Sequence, residues 1–446
     1  MPPLLPILVT LAGIALLLLL VMRLKLQAFV ALLLVSLLVG IAMDMPLQQV
    51  LDSIKKGMAE TLGFVAVVVG LGAMLGRILE ISGGVERLAQ TMLAKFGEEK
   101  AQWALALTGF IVGIPIFFDV GFVILVPIVY GLSRKTKRSL LYYGIPLLAG
   151  LAVTHSFVPP TPGPIAVAEI LKADLGAVIG FGILAGIPAT IAGGLLFANY
   201  IAPRIHVEVP EYFRSENPLS AKPLPSFGMV ASIIFVPLVL IVANTVSGTW
   251  LSEAKVLRRI LTFIGHPFVA LLLATLLAGF LLGTRRGYSR EELQEIATKA
   301  LEPAGLIILV TGAGGVLKQV LIDSGVGEVL GKMMAASALP PLVLAFLIAA
   351  IIRIAQGSAT VAMITAAGLM APIVTALNVK PALLSLMVIA IAAGATILSH
   401  VNDSGFWLVN RYFGLSEKDT LRSWTVMETI IALSGFAAVL AISFFL

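Results

Sequence analysis

Apolar residues run through this chain in long blocks, without the short amphipathic spacing of a water-facing surface. A bilayer core about 30 Å thick needs ~20 consecutive apolar residues per helix. Blocks of that length lie near residues 4–22, 26–43, 60–82, 139–158, 175–201, 228–250, 262–283, 303–323, 382–400 and 424–446. Two further stretches, 101–132 and 339–376, are too long for one span and are interrupted by polar or helix-breaking residues. Hydropathy alone leaves open whether each is one helix, two helices or a re-entrant hairpin. The pattern predicts an all-α polytopic membrane protein.

The blocks also repeat. Phe29–Gly40 and Phe268–Gly279 are identical at nine of twelve positions, at an offset of 239. At offset 242, Gly70, Gly72, Leu75, Ser82, Gly83 and Glu86 meet Gly312, Gly314, Leu317, Ser324, Gly325 and Glu328. At offset 245, Pro127-Ile128-Val129 meets Pro372-Ile373-Val374, and His155 meets His400. Four matches in order, with a slowly drifting offset, point to duplication. The halves are residues 1–202 and 226–446, joined by the polar linker 203–225. The paired Gly-x-Gly segments read as close helix-packing positions.

Lys and Arg placement separates the topologies. If both interrupted stretches are re-entrant hairpins, each half has five crossings, an odd number, and the second half is inverted relative to the first. This arrangement puts 19 Lys and Arg on one side, Arg134, Lys135, Lys137 and Arg138 among them, and eight on the other, with three inside segments. By the positive-inside rule the rich side and the linker are cytoplasmic and both termini lie outside. The expectation is two inverted repeats, each with five transmembrane helices and one hairpin, with broken helices at the midplane.

Composition narrows the function. Hydrophobic residues make up 59% and charged residues 12%, with a mean hydropathy of +1.05. A soluble chain would be roughly a quarter charged, so a secreted enzyme, a nucleic-acid binder and a disordered scaffold are excluded. With no cysteine there is neither disulfide nor thiolate metal site. No phosphate loop occurs, and neither a metal site nor a cofactor is expected. The first block has no basic residue before it and no small-residue cleavage signal after it, and reads as a retained span.

Polar chemistry gathers at four breaks. They are Gly113–Gly121 with Pro115 and Asp119, Thr154–Pro164 with four prolines in six residues, Arg353–Thr360, and Ser399–Gly405. Proline cannot continue a helix, and unwound backbone is tolerated at membrane depth only where it lines a cavity or is buried in protein. Half-helices starting at Gly357–Ser358 and after Asp403 would aim free N–H groups at such a cavity, a good seat for a carboxylate. Ser156, Thr161, Gln356, Ser358, Thr360, Ser399, Asn402 and Ser404, with the backbone at Gly357, supply neutral partners that suit a small hydroxyl-rich anion. Arg353 either binds the substrate carboxylate or pairs with Asp119 or Asp403. Asp403 either carries a proton or caps the following half-helix. A carboxylate at mid-membrane, such as Asp119, costs about 2.5–3.5 kcal/mol on insertion scales, which favours function there. His155 and His400, whose imidazoles ordinarily titrate near ~6.5, are the other proton carriers considered. An intramembrane protease is the rival outside transport, but His155–Ser156 are sequence neighbours only.

The segments Phe118-Asp119-Val120-Gly121, His155 to Pro164, Gly357 to Ala362 and Ser399 to Trp407 resemble the gluconate permease family, and the resemblance runs the length of the chain. Asp119 departs from the glutamate common at that position and keeps the carboxylate on a shorter arm. The resemblance implies a gluconate:proton symporter of the bacterial inner membrane, within a superfamily of inverted repeats and dimeric, elevator-type assemblies. Import of D-gluconate or a related sugar acid with a proton is therefore expected. A permease for D-serine or another small hydroxy acid, or a sodium-coupled carrier, is the alternative. The expected partners are the anion, the proton, the lipid bilayer and a second copy of the chain, with no nucleic acid.

Overall fold

The computed structural model describes residues 4–210, 223–251, 256–326 and 339–446. Much of the linker, together with Lys255, Glu328 and Lys332, lies outside the described residues. Every regular element among the described residues is helical, and eight helical segments are long and apolar enough to cross a bilayer.

The first part of the chain forms α1 (Leu4–Leu18), α2 (Ala28–Ala42), α3 (Leu47–Ile81) and α4 (Gly84–Phe96). Next come α5 (Ala101–Val112) and α6 (Phe118–Thr136), then α7 (Leu140–Phe157) and α8 (Pro162–Leu171). Finally α9 (Leu175–Thr190) continues through a π turn into α10 (Phe197–Ile201). After residue 226 a similar order appears. It comprises α11 (Phe227–Trp250), a short α12 (Val256–Ile264), α13 (Pro267–Ala278) and α14 (Arg290–Asp323). Then follow α15 (Pro341–Gln356) and α16 (Ala359–Ala376), α17 (Pro381–Thr396) and α18 (Ser404–Phe413), and α19 (Glu417–Thr420) running by a π turn into α20 (Val426–Ser443).

Several boundaries differ from the apolar blocks. Helices α3 and α14 begin at Leu47 and Arg290, well before the blocks at 60 and 303. Their first turns are polar, so hydropathy misses them, although Ser289 and Glu292 form a full capping box at the start of α14. At 1.5 Å per residue, a helix as long as α3 spans about 50 Å, more than a bilayer core. Block 262–283 is divided because His266 caps a new helix whose first residue is Pro267. Asp119 was expected in a break, but the break is at residues 113–117 and Asp119 sits in the first turn of α6.

Helices α3 and α14 cross at two glycines. A Cβ on Gly57 would meet the carbonyl oxygen of Gly315 at 2.5 Å, and one on Gly315 would meet Thr61 Oγ1 at 2.0 Å. Such contact lets dispersion and backbone packing hold the pair where lipid supplies no hydrophobic drive. Around this pair, α8 packs on both α3 and α14, and α16 packs on α8 and on α14. Helices α6 and α18 instead approach each other, with α6 also on α4 and α7, and α18 on the 417–425 segment.

Candidate functional site

Three of the four breaks, with the end of α7 that leads into the fourth, border one cavity of about 550 Å³, within the ~300–1,000 Å³ range of small-molecule sites. The α5–α6 break brings Phe117, Phe118, Asp119 and Val120. Helix α7 brings Ala152, His155 and Ser156, and α14 brings Pro303 and Ile307. The α15–α16 break contributes Arg353 and residues 356–360, and the α17–α18 break contributes Asn402, Asp403, Ser404 and Gly405. Trp424 and Glu428 complete the lining. The first turns of α6, α16 and α18 thus all border it, and helix N-termini favour negative charge.

The best-ordered chemistry centres on Asp403. Its Oδ2 accepts from Arg353 Nη2 at 2.6 Å and from Ser399 Oγ at 2.5 Å, and its Oδ1 accepts from Gly405 N at 3.2 Å. Asp403 therefore caps α18 and pairs with Arg353 at the same time. Trp424 Nε1 donates to Ser399 Oγ at 2.6 Å and fixes that hydroxyl for the carboxylate. Carboxylates held by several donors are strongly positioned.

The two broken segments are tied across the cavity wall. The carbonyl of Ile354, near the C-terminus of α15, accepts from Asn402 Nδ2 at 3.0 Å and lies 3.0 Å from His400 Nε2. Gly357 ends α15 with φ +88°, and a Cβ there would meet Asn402 O at 2.2 Å. Glycine is therefore required both for the left-handed turn and for the close approach. Ser358 caps α16 by accepting from Val361 N at 3.4 Å, and Gln356 Nε2 donates to Ser358 O at 3.2 Å.

Of the residues singled out in the sequence, Ser156, Arg353, Gln356, Gly357, Ser358, Thr360, Asn402, Ser404, Asp119, His155 and Asp403 line the cavity. Thr161, Ser399 and His400 do not. Thr161 is buried in the α7–α8 break, where its hydroxyl donates to Val158 O at 2.8 Å, and His400 is turned to the Ile354 carbonyl. Glu428, Trp424 and the Phe117–Phe118 pair were missed. A lone acid in the apolar span 424–446 was the available signal for Glu428; the aromatics carried none.

Several buried polar atoms at this site have no partner: Arg353 Nε and Nη1, His155 Nδ1 and Glu428 Oε1. An unsatisfied buried donor or acceptor costs about 1–3 kcal/mol, more when charged. A ligand offering a carboxylate and hydroxyls would satisfy them.

The model for permeases of the GntP family matches residues 5–445. The high-affinity gluconate transporter of Escherichia coli strain K12 is 41% identical over 438 residues, covering 98% of this chain and 99% of that protein. The Gnt-II system L-idonate transporter of the same strain is 42% identical over 438 residues, with the same coverage. A gluconate permease of Pseudomonas aeruginosa is 40% identical over 445 residues, covering 99% and 97%. Among solved structures, the YdaH transporter of Alcanivorax borkumensis, described as having an unusual topology, aligns with a TM-score of 0.66 at 16% identity over 89% of each chain. That last likeness is one of fold.

Proposed function

The chain belongs to the GntP permease family and is a multi-pass membrane permease, not an enzyme; from that premise we propose that it imports D-gluconate, or a close sugar acid such as L-idonate, together with a proton. The observation that carries this reading is Arg353, a buried cation with two unpaired donors in a cavity rich in hydroxyl and amide groups. Arg353 holds the substrate carboxylate, while Ser156, Gln356, Ser358, Thr360, Asn402 and Ser404 take the hydroxyls. Helix N-termini at α16 and α18 add favourable potential for the anion.

Proton coupling follows from charge. An anion entering a compartment at an inside-negative potential is opposed by about 2.3 kcal/mol per 100 mV. One proton cancels that cost and adds the pH gradient. The cavity also holds three carboxyl groups, Asp119, Asp403 and Glu428, against a single guanidinium, so an added anion calls for neutralising protons. Asp119 is exposed and makes no side-chain hydrogen bond among the described residues, which suits a group that collects a proton from water. His155, beside Phe117, is a further relay candidate.

The same reading takes the two halves as inverted repeats in the bacterial inner membrane, with termini outside and a second copy as partner. Supporting it are the similar element order on both sides of residue 226 and the uneven spread of Lys and Arg. Uptake of labelled D-gluconate into proteoliposomes tests the proposal. Accumulation is expected under an inward proton gradient without sodium, with L-idonate competing better than D-serine, and Asp119→Asn should lose it. A strict sodium requirement, or full accumulation by the Asp119→Asn protein, would overturn the corresponding part.

A further inference from the structure

Glu428 is the only charged residue of α20, and its side chain is almost fully buried at 3% exposure. It borders the cavity and leaves Oε1 without a partner. Arg353, equally buried at 3%, gives one nitrogen to Asp403 and keeps two unpaired. Asp403 is fully engaged by Arg353, Ser399 and Gly405. One buried cation therefore already has its counter-ion, and a second buried acid stands within its electrostatic reach.

Helices α9 and α17, which pack on α20, contain no titratable residue. The π turn of α9 has none either, and Arg422 in the turn preceding α20 is exposed. The titratable and charged groups that share the cavity with Glu428 are Arg353, Asp403, His155 of α7 and Asp119 of α6.

With both acids ionised the cluster carries one net negative charge, and a bound carboxylate would make it two. Uncompensated charge in a low-dielectric site is strongly unfavourable. We propose that Glu428 and the substrate carboxylate compete for Arg353, so that Glu428 takes up a proton as the anion binds. The coupling device is thus one arginine shared by two acids, one fixed in the protein and one carried by the substrate. Linkage makes the effect reciprocal: the anion favours the protonated acid, and the protonated acid favours the anion. This inference rests on the reading of the substrate as a sugar-acid anion.

Equilibrium binding separates the two ideas. D-gluconate affinity would be measured calorimetrically on the purified full-length protein across pH. Wild-type affinity is expected to fall about tenfold per pH unit once Glu428 begins to ionise. In Glu428→Gln binding should persist, and this fall should shrink to less than twofold per unit. Absence of gluconate binding by folded wild-type protein would refute the substrate reading itself. Wild-type binding that is independent of pH, a Glu428→Gln protein with an unaltered pH profile, or a folded Glu428→Gln protein that no longer binds would refute the competition. If Glu428→Gln does not fold, Glu428→Asp supplies the readout: the pH profile should move along the axis, and an unmoved profile refutes the role of Glu428.

Discussion

At the residue scale, Arg353 joins stability to recognition. It is buried at 3% exposure and paired to Asp403 at 2.6 Å. Removing one member of a buried pair typically costs about 3–5 kcal/mol, because the other charge is left uncompensated, whereas removing both costs much less. Arg353→Ala should therefore lower unfolding stability in detergent by a few kcal/mol, with part recovered in the Arg353→Ala/Asp403→Ala protein. Both single and double variants should lose gluconate-induced stabilisation. A double variant no more stable than the single would mean that the pair is not coupled. The sequence made Arg353 and Asp403 visible because charges are rare in apolar runs. It left their partnership open, since fifty residues separate them along the chain and only the meeting of two broken segments brings them together.

At the scale of elements, the breaks decide the chemistry. Gly357 shows why one cannot simply be straightened. An alanine there would carry the cost of a left-handed non-glycine residue, about 1–2 kcal/mol, and would also press on the Asn402 carbonyl, which is backbone. Gly357→Ala is expected to reduce uptake at least tenfold and to lower thermal stability, as measured in the same proteoliposomes and by detergent unfolding. Wild-type values in both would show that the α15–α16 turn tolerates rearrangement. The prolines and glycines of the breaks were legible because they punctuate helices wherever they occur. Where the helices resume was less so: Asp119 reads as part of an interruption but lies within α6, where the backbone has already recovered.

At the scale of the whole molecule, the two ends of the cavity are bounded by different helices. Along α14, Pro303 and Ile307 line it. About two turns further on, a Cβ at Gly314 would meet Ile364 of α16 at 2.1 Å and Ile170 of α8 at 3.6 Å. Helices α8 and α16 thus pack closely on α14 on the side toward Lys172 and Lys380, while α6 and α18 flank the side toward Lys137 and Arg411. Because the chain has no cysteine, it offers a clean background for labelling. Ser404→Cys, at an exposed position beside the cavity, should react with an impermeant maleimide from the cytoplasmic face, as should Lys137→Cys. Lys172→Cys should react only from outside, and Ala366→Cys, fully buried in α16, from neither. Reaction of Lys137→Cys from outside would reverse the topology.

The sequence alone determined the solvent: long apolar blocks and sparse charge admit only a lipid environment, because that balance is a sum over residues. It also located the interruptions, since proline, glycine and intramembrane charge act locally. The polar extensions of α3 and α14 escaped it, because hydropathy measures transfer to lipid and not helix formation. Tertiary structure decided which interruptions meet, that Thr161 and His400 stay out of the lining, and that Glu428, distant in sequence from every break, shares the cavity with Arg353. Those facts depend on how helices cross, and crossing is fixed by contacts such as Gly57 on Gly315 that no single stretch of sequence contains.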